Sequence, residues 1–172
     1  MRSLLFILLL GAATVSIEYP TVNLPVGDRQ ENWTGDQGQG CCVFATTVSL
    51  LRWEGQYDLA DRIRKKYGNG ESLEGLAAKL DREGIRYAYA IHDVHFLEWA
   101  LKTRRGCGIP FDTTGPHCLA LVYLDNKLAC LLDNNDVGRY RWMSREKFLK
   151  HWIESGGWAF ALVYDPIPPM PS

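Results

Sequence analysis

The sequence has no excess of either charge: its 172 residues carry 19 Lys and Arg against 20 Asp and Glu, a formal net charge of -1. Without a broad electrostatic field to gather phosphates or anionic lipid, nucleic acid is not an expected partner. There is no internal repeat and no Cys-x-x-Cys pair. The four histidines, His92, His95, His117 and His151, are not at ligand spacing with the cysteines, so neither a metal nor another cofactor is expected. Long hydrophobic runs are also missing, with one short exception. Arg2 is followed by Leu4, Leu5, Phe6, Ile7, Leu8, Leu9 and Leu10 and then by Gly11, Ala12 and Ala13. Roughly 20 apolar residues are needed to span a bilayer. The shorter run reads as a signal peptide over residues 1–16, cleaved near 13–16, which predicts a secreted, periplasmic or cell-envelope protein. Membrane contact is expected only through that segment, if it stays uncleaved.

What is present suits one core: 47% of residues are hydrophobic and 23% charged. A single domain is expected over 17–165, followed by a tail, 166–172, whose four prolines cannot extend a sheet. A Gly-rich loop, Gly35 to Gly40, leads into a helical pattern from Cys42 carrying Phe44, Val48 and Leu51 and ending at Gly55. Asp58 and Ser72 are candidate caps for two further helices, Ile85 to Ala90 alternates like a strand, and Asp93 opens a fourth helix. The basic cluster Arg62, Arg64, Lys65 and Lys66 shares its helix with Asp58 and Asp61 and reads as a solvated face. From His117 the pattern is strand-like: His117 to Leu124, Lys127 to Asp133, Arg139 to Met143 and Trp158 to Tyr164, with a helix from Ser144 to Glu154. The stretch 107–116 reads as a loop. A helical half followed by an antiparallel sheet is an α+β layout.

Five cysteines, Cys41, Cys42, Cys107, Cys118 and Cys130, are an odd set, and in an exported chain a leftover thiol needs a reason. Cys107, Cys118 and Cys130 have apolar or glycine neighbours and read as small core residues. Cys42 stands where the glycine loop enters a helix. The unpaired N–H groups and positive dipole end of a helix N-terminus lower a thiol pKa and make a nucleophile. His117, freed by Gly115-Pro116 at the start of an apolar strand, is the best candidate base. A third group must orient the imidazole. A two-residue Asp125-Asn126 turn places His117 opposite Asn134, and a three-residue loop places it opposite Asp133. Trp33, Trp142 and Trp158 are expected to fill the core.

The stretch Gly40-Cys41-Cys42-Val43-Phe44-Ala45 resembles the Gly-Ser-Cys-Trp-Ala-Phe motif of papain-like proteases. The segment Gly115-Pro116-His117 to Asp133, followed by Phe148-Leu149-Lys150-His151-Trp152, is similar to the C39-like peptidase family. The resemblance runs from about Gln37 to Tyr164. It implies a papain-like fold, a Cys42–His117–Asp133 triad with Asp133 favoured over Asn134, and an oxyanion-hole Gln before the nucleophile. Gln37 is the candidate for that Gln and Gln39 the alternative. The implied activity is hydrolysis of peptide bonds in a peptide or protein substrate through an acyl-enzyme. Two departures stand out: Cys41 replaces a small polar residue, and Gln37 lies one residue nearer to Cys42 than usual. A cell-wall amidase or endopeptidase of the NlpC/P60 kind, whose Asp-Cys-Ser motif is absent, and an inactive binding module are the other readings.

Overall fold

The computed structural model describes residues 19–35, 40–111 and 117–165. The expected signal segment, the proline tail, Gln37 and Gln39 lie outside the described residues. The elements run α1 (Cys42–Trp53), α2 (Tyr57–Lys66), α3 (Leu73–Arg82), β1 (Tyr87–Ile91), α4 (Val94–Lys102), β2 (Cys107–Pro110), β3 (Cys118–Leu124), β4 (Leu128–Leu132), β5 (Tyr140–Ser144), α5 (Arg145–Glu154) and β6 (Trp158–Leu162). This is an α+β fold, with helices gathered in the N-terminal half and an antiparallel sheet of order β1-β6-β2-β3-β4-β5.

Local chemistry accounts for most of the boundaries. Ser72 accepts a hydrogen bond from the Gly75 N–H to start α3, Ser144 accepts one from Lys147 N–H to start α5, and Asp93 accepts from both His95 and Phe96 to start α4. Asp58 is not a cap: α2 begins at Tyr57, so Asp58 sits in its first turn, where a carboxylate suits the positive end of the helix dipole. The basic cluster behaves as a helix face, Lys66 pairing with Glu83 at 2.6 Å and Arg64 lying over the Trp33 ring at 4.0 Å.

α1 is the central helix. Every residue from Val43 to Leu51 is buried, and the helix packs on α2, β2 and β3. Two of its interior hydroxyls are satisfied within the helix, Thr47 donating to the Val43 carbonyl and Ser49 to that of Ala45, while Thr46 donates across to the Cys118 carbonyl of β3 at 3.2 Å. On the sheet side the core is built from Leu119, Leu121, Leu131, Phe160 and Ala161, all fully buried, with Phe148 and Trp152 of α5 equally so.

The structure corrects three expectations. The stretch 107–116 is not all loop, because Cys107–Pro110 forms β2 between β3 and β6. Trp142 is exposed rather than in the core, Trp33 and Trp158 pack against the core only partly buried, and the fully buried tryptophan is Trp152. The third correction concerns the hairpin. Asp125 is not at its tip: its N–H bonds the Leu128 carbonyl, and its carboxylate accepts from the Lys127 and Leu128 N–H groups, so Asn126-Lys127 is the turn. Leu124 then faces Ala129, a bulge follows between Leu121 and Tyr123, and Ala120 faces Leu132. Pairing stops there, three residues short of His117, so no strand partner stands directly opposite the imidazole, neither Asn134 nor Asp133.

Candidate active site

Cys42 is the first residue of α1, and its preceding N-cap residue, Cys41, makes no side-chain capping bond. The positive end of the helix is therefore left to the sulfur, which also accepts from the Val43 N–H. Cys41 points away from it: its thiol is buried against the Gly68 carbonyl, and its N–H is held by the Asn32 side chain at 2.8 Å. The residue that departs from the papain-like motif is thus a packing residue of the α1 entry.

His117 immediately precedes β3. Its Nε2 lies 2.9 Å from Asp133 Oδ1, which leaves Nδ1 for the hydrogen bond that the ring makes with Cys42. Asp133 immediately follows β4 and opens a turn, its carbonyl accepting from the Asp136 N–H, which puts its carboxylate beside the residue that precedes β3. Asn135 Nδ2 lies 3.5 Å from the same Nε2. Asp133 is itself held: Arg141 donates to its Oδ2 at 2.7 Å and the Asn135 N–H to its Oδ1 at 3.0 Å. Asn134 does something else. Its amide donates to the carbonyls of Cys42 and Cys118 and to the Thr46 hydroxyl.

The electrostatics follow from these contacts. Burial works against a thiolate at Cys42, but the hydrogen bond with His117, the Cys118 N–H at 3.4 Å, the imidazolium charge and the Val43 N–H outweigh it and bring the thiol below its ordinary value. Burial likewise works against the imidazolium, yet the Asp133 hydrogen bond and the Cys42 thiolate push His117 up to about 9. The bond to His117 holds Asp133 well below the usual carboxylate range, helped against its partial burial by the Asn135 N–H and Arg141. Cys107 and Cys118 go the other way, pushed up by complete burial, and Cys130 is pushed up to about 12. Of the five thiols, the one at the helix N-terminus is the one disposed to ionise.

Cys42 and His117 open onto a cleft of about 620 Å³. One wall is the segment Gly70 to Glu74, another Pro110 and Phe111, and a third the end of α5 with Trp158. The last of these was not expected from the sequence, since it depends on how α5 packs. Arg141, Asn135, Asn32 and the Cys118 N–H were also missed. Arg141 is placed by its register opposite Leu131 in β5, and no local motif announces that.

No family model and no curated protein matches the sequence. Solved structures do resemble it. A C39-like peptidase from Bacillus anthracis superposes with a TM-score of 0.61 over 85% of this chain and 97% of its own, at 14% identity. The chain has the fold of the C39-like peptidases. The peptidase domain of Streptococcus ComA, a bifunctional ABC transporter involved in quorum sensing, reaches 0.53 over 74% of this chain and 91% of its own at 16% identity. A double-glycine motif protease from an AMS/PCAT transporter, solved with its leader peptide, reaches 0.51 over 78% and 92% at 14% identity. Within that fold the helix N-terminus carrying Cys42 lies against the start of β3, which His117 immediately precedes, and Asp133 immediately follows β4.

Proposed function

We propose that this chain is a cysteine peptidase with Cys42 as nucleophile, His117 as acid and base, and Asp133 as the group that orients the imidazole. The observation that carries the reading is His117 itself, held at Nε2 by Asp133 and hydrogen-bonded on its other side to the one thiol whose pKa is lowered. The Cys42 proton rests on His117, and the thiolate attacks a substrate carbonyl carbon. The C–S bond forms, the C–N bond breaks, and the amine leaves with the proton from His117. Water then gives its proton to the imidazole and attacks the thioester, releasing the carboxylic acid and the thiol. The Cys42 N–H is a natural donor to the oxyanion, and we assign Gln37 as the second, with Gln39 the alternative.

The substrate is a peptide or protein lying in the cleft beside Gly40, Val43 and Trp158, consistent with the leader peptide bound to the AMS/PCAT protease. From the apolar run behind Arg2 we place the enzyme outside the cytoplasm, as a secreted or cell-envelope protein. A thiol-directed activity probe tests the chemistry. Labelling of the wild type at Cys42, lost in Cys42→Ala and suppressed in His117→Ala, is the expected result. Equal labelling of Cys41 and Cys42 that ignores His117 overturns the assignment and leaves a binding module. Release of amino-acid side products from peptidoglycan, with no cleavage of unstructured polypeptides, identifies a cell-wall amidase instead.

A further inference from the structure

β4 ends at Leu132, two residues short of the position that would pair with Cys118. Neighbouring N–H and C=O groups of one strand residue point the same way, so the missing pairing frees both groups of Cys118 on that side. The N–H goes to the Cys42 sulfur at 3.4 Å. The C=O accepts from Asn134 Nδ2 at 2.8 Å and from the Thr46 hydroxyl at 3.2 Å, and the same Asn134 nitrogen lies 3.0 Å from the Cys42 carbonyl and 3.0 Å from Thr46 Oγ1. A side-chain amide thus replaces the absent strand N–H and also grips the first turn of the nucleophile's helix.

The amide orientation is decided by its surroundings, since two backbone carbonyls can only accept and must face the nitrogen. Its own Oδ1 is buried with no hydrogen-bond partner among the described residues, so the side chain is oriented by what it holds. Asn134 is 3% exposed and has no access to a substrate.

We propose that Asn134 is a positioning residue that clamps the Cys118 peptide to the first turn of α1, keeping the Cys118 N–H aimed at the Cys42 sulfur and the thiol in register with His117. This rests on the peptidase reading of Cys42 and His117, and it gives Asn134 a task distinct from orienting the imidazole. Without the clamp the helix N-terminus and the β3 start are joined at this point by the thiol and by the Thr46 hydroxyl, which donates to the Cys118 carbonyl at 3.2 Å and loses the Asn134 amide that holds it. The Cys118 peptide then keeps one hydroxyl donor in place of two groups and can tilt, and misplacement of reacting groups by about 1 Å costs on the order of a hundredfold in rate.

The test is the pH dependence of Cys42 alkylation by iodoacetamide, followed by mass spectrometry on the full chain, in wild type, Asn134→Ala, Asn134→Ser and His117→Ala. Ser supplies one donor and cannot bridge two carbonyls, so it stands in for Ala if the latter does not fold. In the wild type, alkylation is expected to persist well below the ordinary thiol range. In either Asn134 variant its acid limb is expected to move toward that range, with kcat for a cleaved peptide down about 10- to 100-fold and KM changed little. Thermal stability lowered with an unmoved alkylation profile and unchanged kcat means a packing role and overturns the proposal. A wild-type profile that already matches His117→Ala overturns the peptidase reading itself, a different result from the first.

Discussion

At the scale of single residues, the site depends on two shifts of opposite sign. Cys42 is lowered and His117 is raised to about 9, so between the two the pair is a thiolate and an imidazolium. The expected pH profile of kcat/KM rises as the pair forms on the acid side and falls on the alkaline side near 9, where His117 loses the proton it must give to the leaving amine. Activity that keeps rising through pH 10 excludes this assignment. Asp133→Asn removes the charge that raises His117. Its alkaline limb is expected to move to lower pH, and kcat/KM to fall by about 10- to 100-fold. The same shifts act on stability. His117, raised above its unfolded value of about 6.5, stabilises the fold fully below that pH and loses the contribution as pH climbs through about 9. Asp133, depressed, contributes above about 4 and loses it as pH falls further. A Tm scan against pH for wild type and Asp133→Asn checks the acid side, where the variant is expected to show the shallower drop.

At the scale of elements, the caps and the glycines carry separable predictions. Asp93 holds two N–H groups at the start of α4, and Asp93→Ala is expected to lower unfolding free energy by about 1 kcal/mol in a urea titration, with the m-value unchanged. Gly108 sits in β2 under Phe160, where an added Cβ meets the ring at 2.0 Å. Gly108→Ala is expected to cost about 1–3 kcal/mol in the same assay, since the ring is fully buried and has little room to retreat. These elements also mark what the sequence carries in readable form. Helix starts were legible because Ser72, Asp93 and Ser144 announce themselves locally, and Cys42 was legible because a glycine loop stops beside it. β2 was not, because Cys-Gly-Ile-Pro is four residues long, contains a Gly and a Pro, and is buried on both faces, so it has no alternation to detect. The hairpin register was not legible either. The bulge between Leu121 and Tyr123 lies in an unbroken apolar run, and one added residue there changes what His117 faces. Asp133 reaches the imidazole from the turn just past β4, a geometry that neither simple register anticipates.

At the scale of the whole molecule, the two halves are tied far from the cleft by Arg105. It is 4% exposed and donates to the Leu162 and Tyr164 carbonyls at 3.0 and 2.7 Å, with Glu54 of the α1 end 3.4 Å away. Arg105→Ala leaves Glu54 and two carbonyls without this donor, and a loss of about 3–5 kcal/mol is expected by denaturant titration. A loss below 1 kcal/mol excludes this role. Cys42 and the Cys118 N–H that meets its sulfur are 76 residues apart in sequence. The Val43 N–H is local, but the His117 bond and the Cys118 N–H come from across the fold, so an unfolded chain carries an ordinary, sluggish sulfhydryl. Reactivity toward electrophiles at mildly acid pH is in effect a report that the long-range contacts have closed, and a chain that has not finished folding is chemically harmless to its neighbours.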